Sequence, residues 1–265
     1  MVDQEALMDT AHAMADAARA AILPHFRQAA LGTTSKEADS YDPVTVADRA
    51  SEAAMRAILA ERRPDDAILG EEEGAQPGTS GLTWVLDPID GTRGFVSGTP
   101  TWGVLIALCT ADGPVYSIID QPYIGERFEG GFGRAQVSGP LGQKPLAVSP
   151  ATSLAEATLF TTFPEVGSAA ERLAFDAVRD RVQLTRYGCD CYAYALLAAG
   201  QIDLVIEAGL QSYDIAAPVG LIQAAGGVIT DWEGGSVHEG GRVIAAASAA
   251  LHAEAMALVR EALDG

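Results

Sequence analysis

Apolar residues recur at intervals of three and four from Leu7 through Ala11, Met14, Ala18, Ile22 and Phe26, which places them on one face of a helix. Pro24 falls late in that run and predicts a kink. After a loop containing Lys36 and Asp39, Thr45-Val46-Ala47-Asp48 has the form of a helix start: Thr45 caps, and an acid three positions on suits the positive end of the dipole. This second helix should run to about Arg62, where Pro64 stops it. The rhythm then shortens. Ala67-Ile68-Leu69 closes on Gly70-Glu71-Glu72-Glu73-Gly74 and a Gly/Pro/Ser/Thr-rich loop through Gly81. Strand patterns crowd together over 83–86, 102–109, 115–120 and 127–132, with Gly and Pro between them, and predict an antiparallel sheet of hairpins.

Beyond Pro150 the pattern alternates. Strands are expected over 158–163, 182–185, 202–207, 228–231 and 243–247, and helices over 169–179, 188–199, 214–225 and 250–263. Such alternation argues for a mixed α/β fold with helices layered on sheets. The chain reads as a single compact unit over 1–265, with a soft division into halves 1–150 and 151–265 and no flexible linker between them.

Composition narrows the possibilities. A chain of 265 residues that is 48% hydrophobic and 20% charged has enough apolar surface for a substantial core, which excludes wholesale disorder. Its 17 basic and 36 acidic residues leave a formal charge of −19, which repels nucleic acid and anionic membrane surfaces alike. The opening residues lack the positive region of a secretory signal, and no apolar run approaches the roughly 20 residues that span a bilayer, so a cytoplasmic protein is expected. Cys109, Cys189 and Cys191 cannot all pair and are read as reduced thiols; no second ligand pair accompanies Cys189-x-Cys191 at zinc spacing. His12, His25, His238 and His252 are scattered and suggest packing rather than catalysis. If the substrate is an anion, something local must reverse the field, and bound divalent cations are the obvious device.

The chemistry concentrates in Trp84-Val85-Leu86-Asp87-Pro88-Ile89-Asp90-Gly91-Thr92, where an apolar strand delivers two carboxylates to its end. Hard cations such as Mg²⁺ take oxygen ligands from a few carboxylates. Gly91 allows close approach to the backbone, and Thr92 offers a hydroxyl and an N–H suited to a phosphate oxygen. Alone, this segment is ordinary turn chemistry, Glu71 an acid in a solvated loop and Asp214 a helix cap. Taken together, the acids make a metal cage.

Asp42-Pro43-Val44-Thr45-Val46-Ala47-Asp48, Gly70-Glu71-Glu72, the Trp84 to Thr92 segment, Tyr213-Asp214-Ile215-Ala216-Ala217 and Ala224-Ala225-Gly226-Gly227 resemble, in order, the motifs of the inositol monophosphatase family of Mg²⁺-dependent phosphatases. The resemblance implies a layered αβαβα sandwich, a homodimer, and two to three Mg²⁺ ions, with Mn²⁺ as a possible substitute. It implies that Glu71, Asp87 and the Ile89 carbonyl hold one ion, that Asp87, Asp90 and Asp214 hold a second, and that Asp48 lies in the outer shell of a third. Gly91, Thr92 and Arg93 would contact substrate, with Glu71, Thr92 and Asp90 serving catalysis.

Asp90-Gly91-Thr92-Arg93-Gly94-Phe95, Pro100-Thr101-Trp102-Gly103, the segment from Asp120 to Arg127 and that from Arg186 to Tyr194 look most like the histidinol-phosphate phosphatase branch. Many inositol-type relatives carry Asn where Arg93 or Gly94 stands and Trp where Tyr213 stands. In that branch the substrate is a small phosphate ester with a cationic side, which Asp190 and Glu207 could face. Arg186 could reach the phosphate or pair across a subunit boundary, and Lys36 could belong to a mobile covering loop. The rival readings are the same chemistry on inositol monophosphate, fructose bisphosphate or a 3′-phosphonucleotide, and, from a different class, an acidic cation-binding protein without catalysis.

Overall fold

The computed structural model describes residues 3–28, 33–35 and 43–264; Lys36, Asp39 and Asp42 lie outside them. Helix α1 (Gln4–Ile22) starts where the Asp3 carboxylate accepts the Ala6 N–H at 3.2 Å, and it buries Leu7, Ala11, Met14, Ala18 and Ile22. It does not kink at Pro24. It ends at Ile22, and Leu23–His25 form a 3-10 turn with Pro24 near its start, where a missing N–H leaves no bond unmade. Strands β1 (Thr33–Ser35) and β2 (Pro43–Thr45) pair antiparallel and lead into α2 (Val46–Arg62). The expected cap is present as a reciprocal box: Thr45 Oγ1 accepts the Ala47 N–H at 3.0 Å while Asp48 accepts the Thr45 N–H at 2.8 Å.

Next come β3 (Ala67–Gly70), β4 (Gly74–Gln76), β5 (Thr83–Asp90), the short helix α3 (Thr92–Ser97), β6 (Gly103–Thr110), β7 (Gly113–Gln121), β8 (Glu126–Gly131), β9 (Arg134–Gly139) and β10 (Gly142–Pro145). They form an eight-stranded sheet in the order β10-β9-β8-β7-β6-β5-β3-β4. From β5 to β8 the hairpin expectation holds, and β9 and β10 extend it antiparallel; β3 lies parallel to β5, so the sheet is mixed. The pattern gave no sign of β9 or β10, whose residues are exposed or only half-buried and so show no apolar alternation.

The remainder supplies β11 (Thr158–Thr161), α4 (Ala169–Arg179), β12 (Leu184–Tyr187), α5 (Cys191–Ala198), β13 (Leu204–Gln211), α6 (Ser212–Ala224), β14 (Val228–Thr230), β15 (Gly240–Ala246) and α7 (Ala249–Asp264). Here the strands run β12-β11-β13-β15-β14, parallel from β12 to β13 and antiparallel beyond.

Side-chain alternation sorts the layers, because successive strand residues face opposite ways. Trp84, Leu86, Val104, Ile106 and Ile118 pack with α1 and α2, whereas Val85, Leu105, Ala107 and Ile119 join α5 and α6. In the second sheet Val205, Val243 and Ala245 meet that same central helix pair, and Leu204, Ile206, Ile244 and Ala246 pack with α4 and α7. The order is thus helices, sheet, helices, sheet, helices: an αβαβα sandwich. Lying between two sheets, α6 is apolar on all sides, with Ile215, Ala216, Ala217, Val219, Leu221 and Ile222 buried. Each fully buried Val, Leu or Ile side chain contributes about 1.5–3 kcal/mol, so the layers set the position of the strand ends firmly. All three cysteines are free. Among the described residues no helix is long and apolar enough to cross a membrane.

Candidate active site and metal centre

Strand β5 presents its acids through an irregularity. Its register with β6 shifts between Asp87 and Asp90, and such a shift breaks simple alternation, so both residues line one cleft. Asp87 Oδ1 also accepts the Ile89 N–H at 3.0 Å. On the neighbouring strand Gly70 is paired with Leu86, and the Glu71 N–H donates to the Leu86 carbonyl at 3.2 Å, so Glu71 follows alongside Asp87. Asp214, in the first turn of α6, accepts the Gln211 N–H at 2.6 Å. Oxygens of Asp87, Asp90 and Asp214 all lie within 4.8 Å of one another.

Electrostatics mark the cluster as built for a positive charge. Burial pushes the Asp87 carboxyl well above its ordinary range, and the charges of Glu71, Asp90 and Asp214 push further. Burial also raises Asp90, with Asp190 and Asp214 adding to it, although the Cys191 N–H donates to Asp90 at 2.6 Å and opposes the shift. Asp48 is raised by burial despite its hydrogen bonds from Thr45. Crowded carboxylates in a low-dielectric site must either share protons or share a cation. An all-oxygen donor set suits a hard divalent ion such as Mg²⁺, so the residues present fit the implied metal.

Thr92 Oγ1 donates to the Ile89 carbonyl at 3.0 Å and lies 3.5 Å from Asp48 Oδ1, which ties the start of α2 to the end of β5. Gly91 has φ +82°, and a Cβ there would come 2.8 Å from the Asp190 carboxyl carbon, so glycine is what admits that acid to the cleft. Asp190 does not cap α5 with its side chain. Positive φ at Gly188 and Asp190 delays the helix to Cys191, three residues after its expected start. The Asp190 carboxyl is pushed up to about 7 by burial and by Glu207, with Arg93 acting in the opposite sense. Arg93 lines the cleft with its guanidinium 5.1 Å from the centre of the Phe163 ring.

Glu207 faces the cleft with three donors already bound: it accepts the Thr162 N–H at 2.9 Å, the Thr162 hydroxyl at 2.5 Å and the Tyr194 hydroxyl at 2.7 Å. Arg186 sits exposed on the edge strand β12, outside the lining of the cleft in a single chain. Thr162, Phe163, Tyr194 and Cys191 line the cleft with no role assigned to them from sequence. Nothing in their spacing points there, because they arrive from β11 and α5 only through the layering of the two sheets.

The model of the Inositol monophosphatase family matches residues 3–264. This chain belongs to that family. It is 40% identical over 256 residues to the bifunctional phosphatase IMPL2 of Arabidopsis thaliana, covering 92% of this chain and 72% of the relative. It is 34% identical over 247 residues to a histidinol-phosphatase of Mycobacterium tuberculosis, covering 92% and 95%. Among solved structures, an inositol monophosphatase from Zymomonas mobilis is 38% identical and superposes with a TM-score of 0.86 over 98% of this chain and 100% of the other. Family membership makes the chain a phosphatase of metal-dependent type, Mg²⁺ being typical, and a small phosphate ester fits as substrate.

Proposed function

We propose that this chain is a Mg²⁺-dependent histidinol-phosphate phosphatase, releasing histidinol and inorganic phosphate. The observation that carries the reading is the Asp190 carboxyl, facing the same cleft as the Asp87, Asp90 and Asp214 cluster and seated against Gly91. An acid in that position offers a charge-assisted hydrogen bond to an ammonium or imidazolium group that a neutral polyol lacks. The histidinol-phosphatase relative supports it. Glu207, with three donors already bound, shapes the pocket more than it adds charge recognition.

In this reading Glu71, Asp87 and the Ile89 carbonyl hold one cation, Asp87, Asp90 and Asp214 a second, and Asp48 lies in the outer shell of a third. When bound, such ions make water a better nucleophile at neutral pH and stabilise charge on the transferring phosphoryl group. Glu71 and the Thr92 hydroxyl orient the attacking water, and Glu71 takes its proton. Gly91 and Thr92 N–H groups and the Arg93 guanidinium hold the phosphate oxygens. The ester P–O bond breaks in line with the attack, and the leaving oxygen is protonated to give the free alcohol. Arg186 acts from a second subunit of a homodimer, since its own cleft is lined without it. Both sequence halves, 1–150 and 151–265, contribute side chains to this cleft, so they work as one unit.

The structural likeness to an inositol monophosphatase favours inositol phosphate as a second reading. Phosphate release from histidinol phosphate and from inositol 1-phosphate, measured side by side with and without chelator, separates the two. A preference for the cationic alcohol, abolished by chelator, is expected; equal or reversed preference defeats the substrate assignment.

A further inference from the structure

We infer that Glu52 is a positioning residue for Glu71 and thereby sets how tightly the carboxylate cluster takes up a divalent cation. The inference deepens the metal reading above and rests on it. Glu52 is fully buried on α2. Its Oε2 accepts the Glu72 N–H at 2.7 Å, and its Oε1 accepts the Glu73 N–H at 3.1 Å and the Arg56 Nε–H at 2.8 Å. Arg56 also donates to the Gly74 carbonyl at 2.5 Å. The backbone at 72, 73 and 74, directly after Glu71, is therefore tied to one helix.

The other side of Glu71 is built for the same contact. A Cβ at Gly70 would lie 2.0 Å from Glu52 Oε1, so only glycine lets the buried carboxylate seat against this turn. The Glu71 N–H itself is held by Leu86 on β5. Glu52 also stands one helical turn after Asp48, on the same face of α2, so a single helix places Asp48 beside Thr92 and fixes the turn that carries Glu71.

Such a brace has electrostatic work to do. Glu71, Glu72 and Glu73 are consecutive acids in a chain of net charge −19, and Glu71 approaches a buried Asp87. Like-charge repulsion favours swinging Glu71 away, and a turn tied down at three successive backbone groups resists it. Outer-shell partners of this sort are worth about 10–100-fold in metal affinity.

The test is calorimetric titration of the full chain, stripped with chelator, with Mg²⁺ and Mn²⁺. Glu52→Gln keeps the shape but turns an amide N–H₂ toward a backbone donor and removes the charge opposite Arg56. Its dissociation constant should rise by about 10–100-fold. The Mg²⁺ concentration for half-maximal activity should rise in parallel, while KM for substrate at saturating Mg²⁺ stays within about 3-fold of the parent, as expected for a residue that acts through metal uptake. Arg56→Lys keeps the positive charge and loses the fixed fork that reaches Gly74, so it should shift affinity in the same direction by less; it decides the matter if the first variant does not fold. Parental metal affinity in a folded Glu52→Gln, or lower stability with unchanged affinity, overturns the inference. A parent chain that takes up neither ion removes the metal reading instead, and this inference with it.

Discussion

Asp90 is the residue on which the site's electrostatics are most exposed. Its carboxyl is raised well above the usual range by burial and by Asp190 and Asp214. A carboxyl that holds its proton more tightly when folded destabilises the metal-free fold; the penalty is complete above the folded pKa and fades as pH falls from there toward the ordinary carboxylate value. Asp90→Asn should therefore raise the melting temperature measured in chelator at pH 7, while phosphate release falls to background; a lower melting temperature with retained turnover contradicts the assignment. Asp190 tests recognition. Asp190→Ala should raise KM for histidinol phosphate by about 10-fold or more, the usual worth of a charge-assisted hydrogen bond, with little change for inositol 1-phosphate. Equal effects on both esters would place Asp190 outside substrate recognition.

At the scale of elements, the start of α2 shows how local sequence reaches the site. Thr45 and Asp48 satisfy each other's backbone donors, and Asp48 then faces Thr92. Thr45→Ala should cost about 1 kcal/mol, read as a lower urea midpoint with unchanged slope, and Thr45→Ser should recover most of it. No shift in midpoint would mean the cap contributes nothing here. This helix start was legible because the box is contained within four residues. The start of α5 was not, since it is delayed by positive φ at Gly188 and at Asp190, a residue that lines the cleft, and nothing in the local pattern announces either. The pairing of β3 with β5 was equally hidden, because parallel neighbours carry no turn between them to announce register.

Across the whole molecule, α1 is locked to the first sheet by charge as well as by packing. His12 donates to Glu129 at 2.9 Å, Tyr116 and Gln136 also donate to Glu129, and Arg127 bridges Asp16 on α1 and Asp120 on β7. Burial alone would raise the Glu129 carboxyl, but hydrogen bonds from His12, Tyr116 and Gln136 outweigh it and hold the group at about 2. Because the folded pKa lies below the ordinary 4.5, the stabilisation is complete above that value and is lost as pH falls toward 2. Glu129→Gln should be less stable at pH 7 and should lose less stability than the parent between those limits. Parallel acid-unfolding curves for the two proteins would show that this contact does not drive the acid transition.

The chain's own pattern determined what depends on near neighbours: the faces of α1 and α2, the strands from β5 to β8, the alternation that follows, the acids at the ends of apolar runs at Glu71, Asp87 and Asp90, and the acid that opens a helix at Asp214. Periodicity and capping are written in adjacent residues, so they survive without a fold. Tertiary structure alone decided that Asp87, Asp90 and Asp214 meet within 4.8 Å, that Tyr194 and Thr162 bond Glu207, and that Glu52 grips the turn after Glu71. Those contacts join residues from different layers, and their geometry follows from how two sheets and three helix pairs stack, which no local pattern encodes.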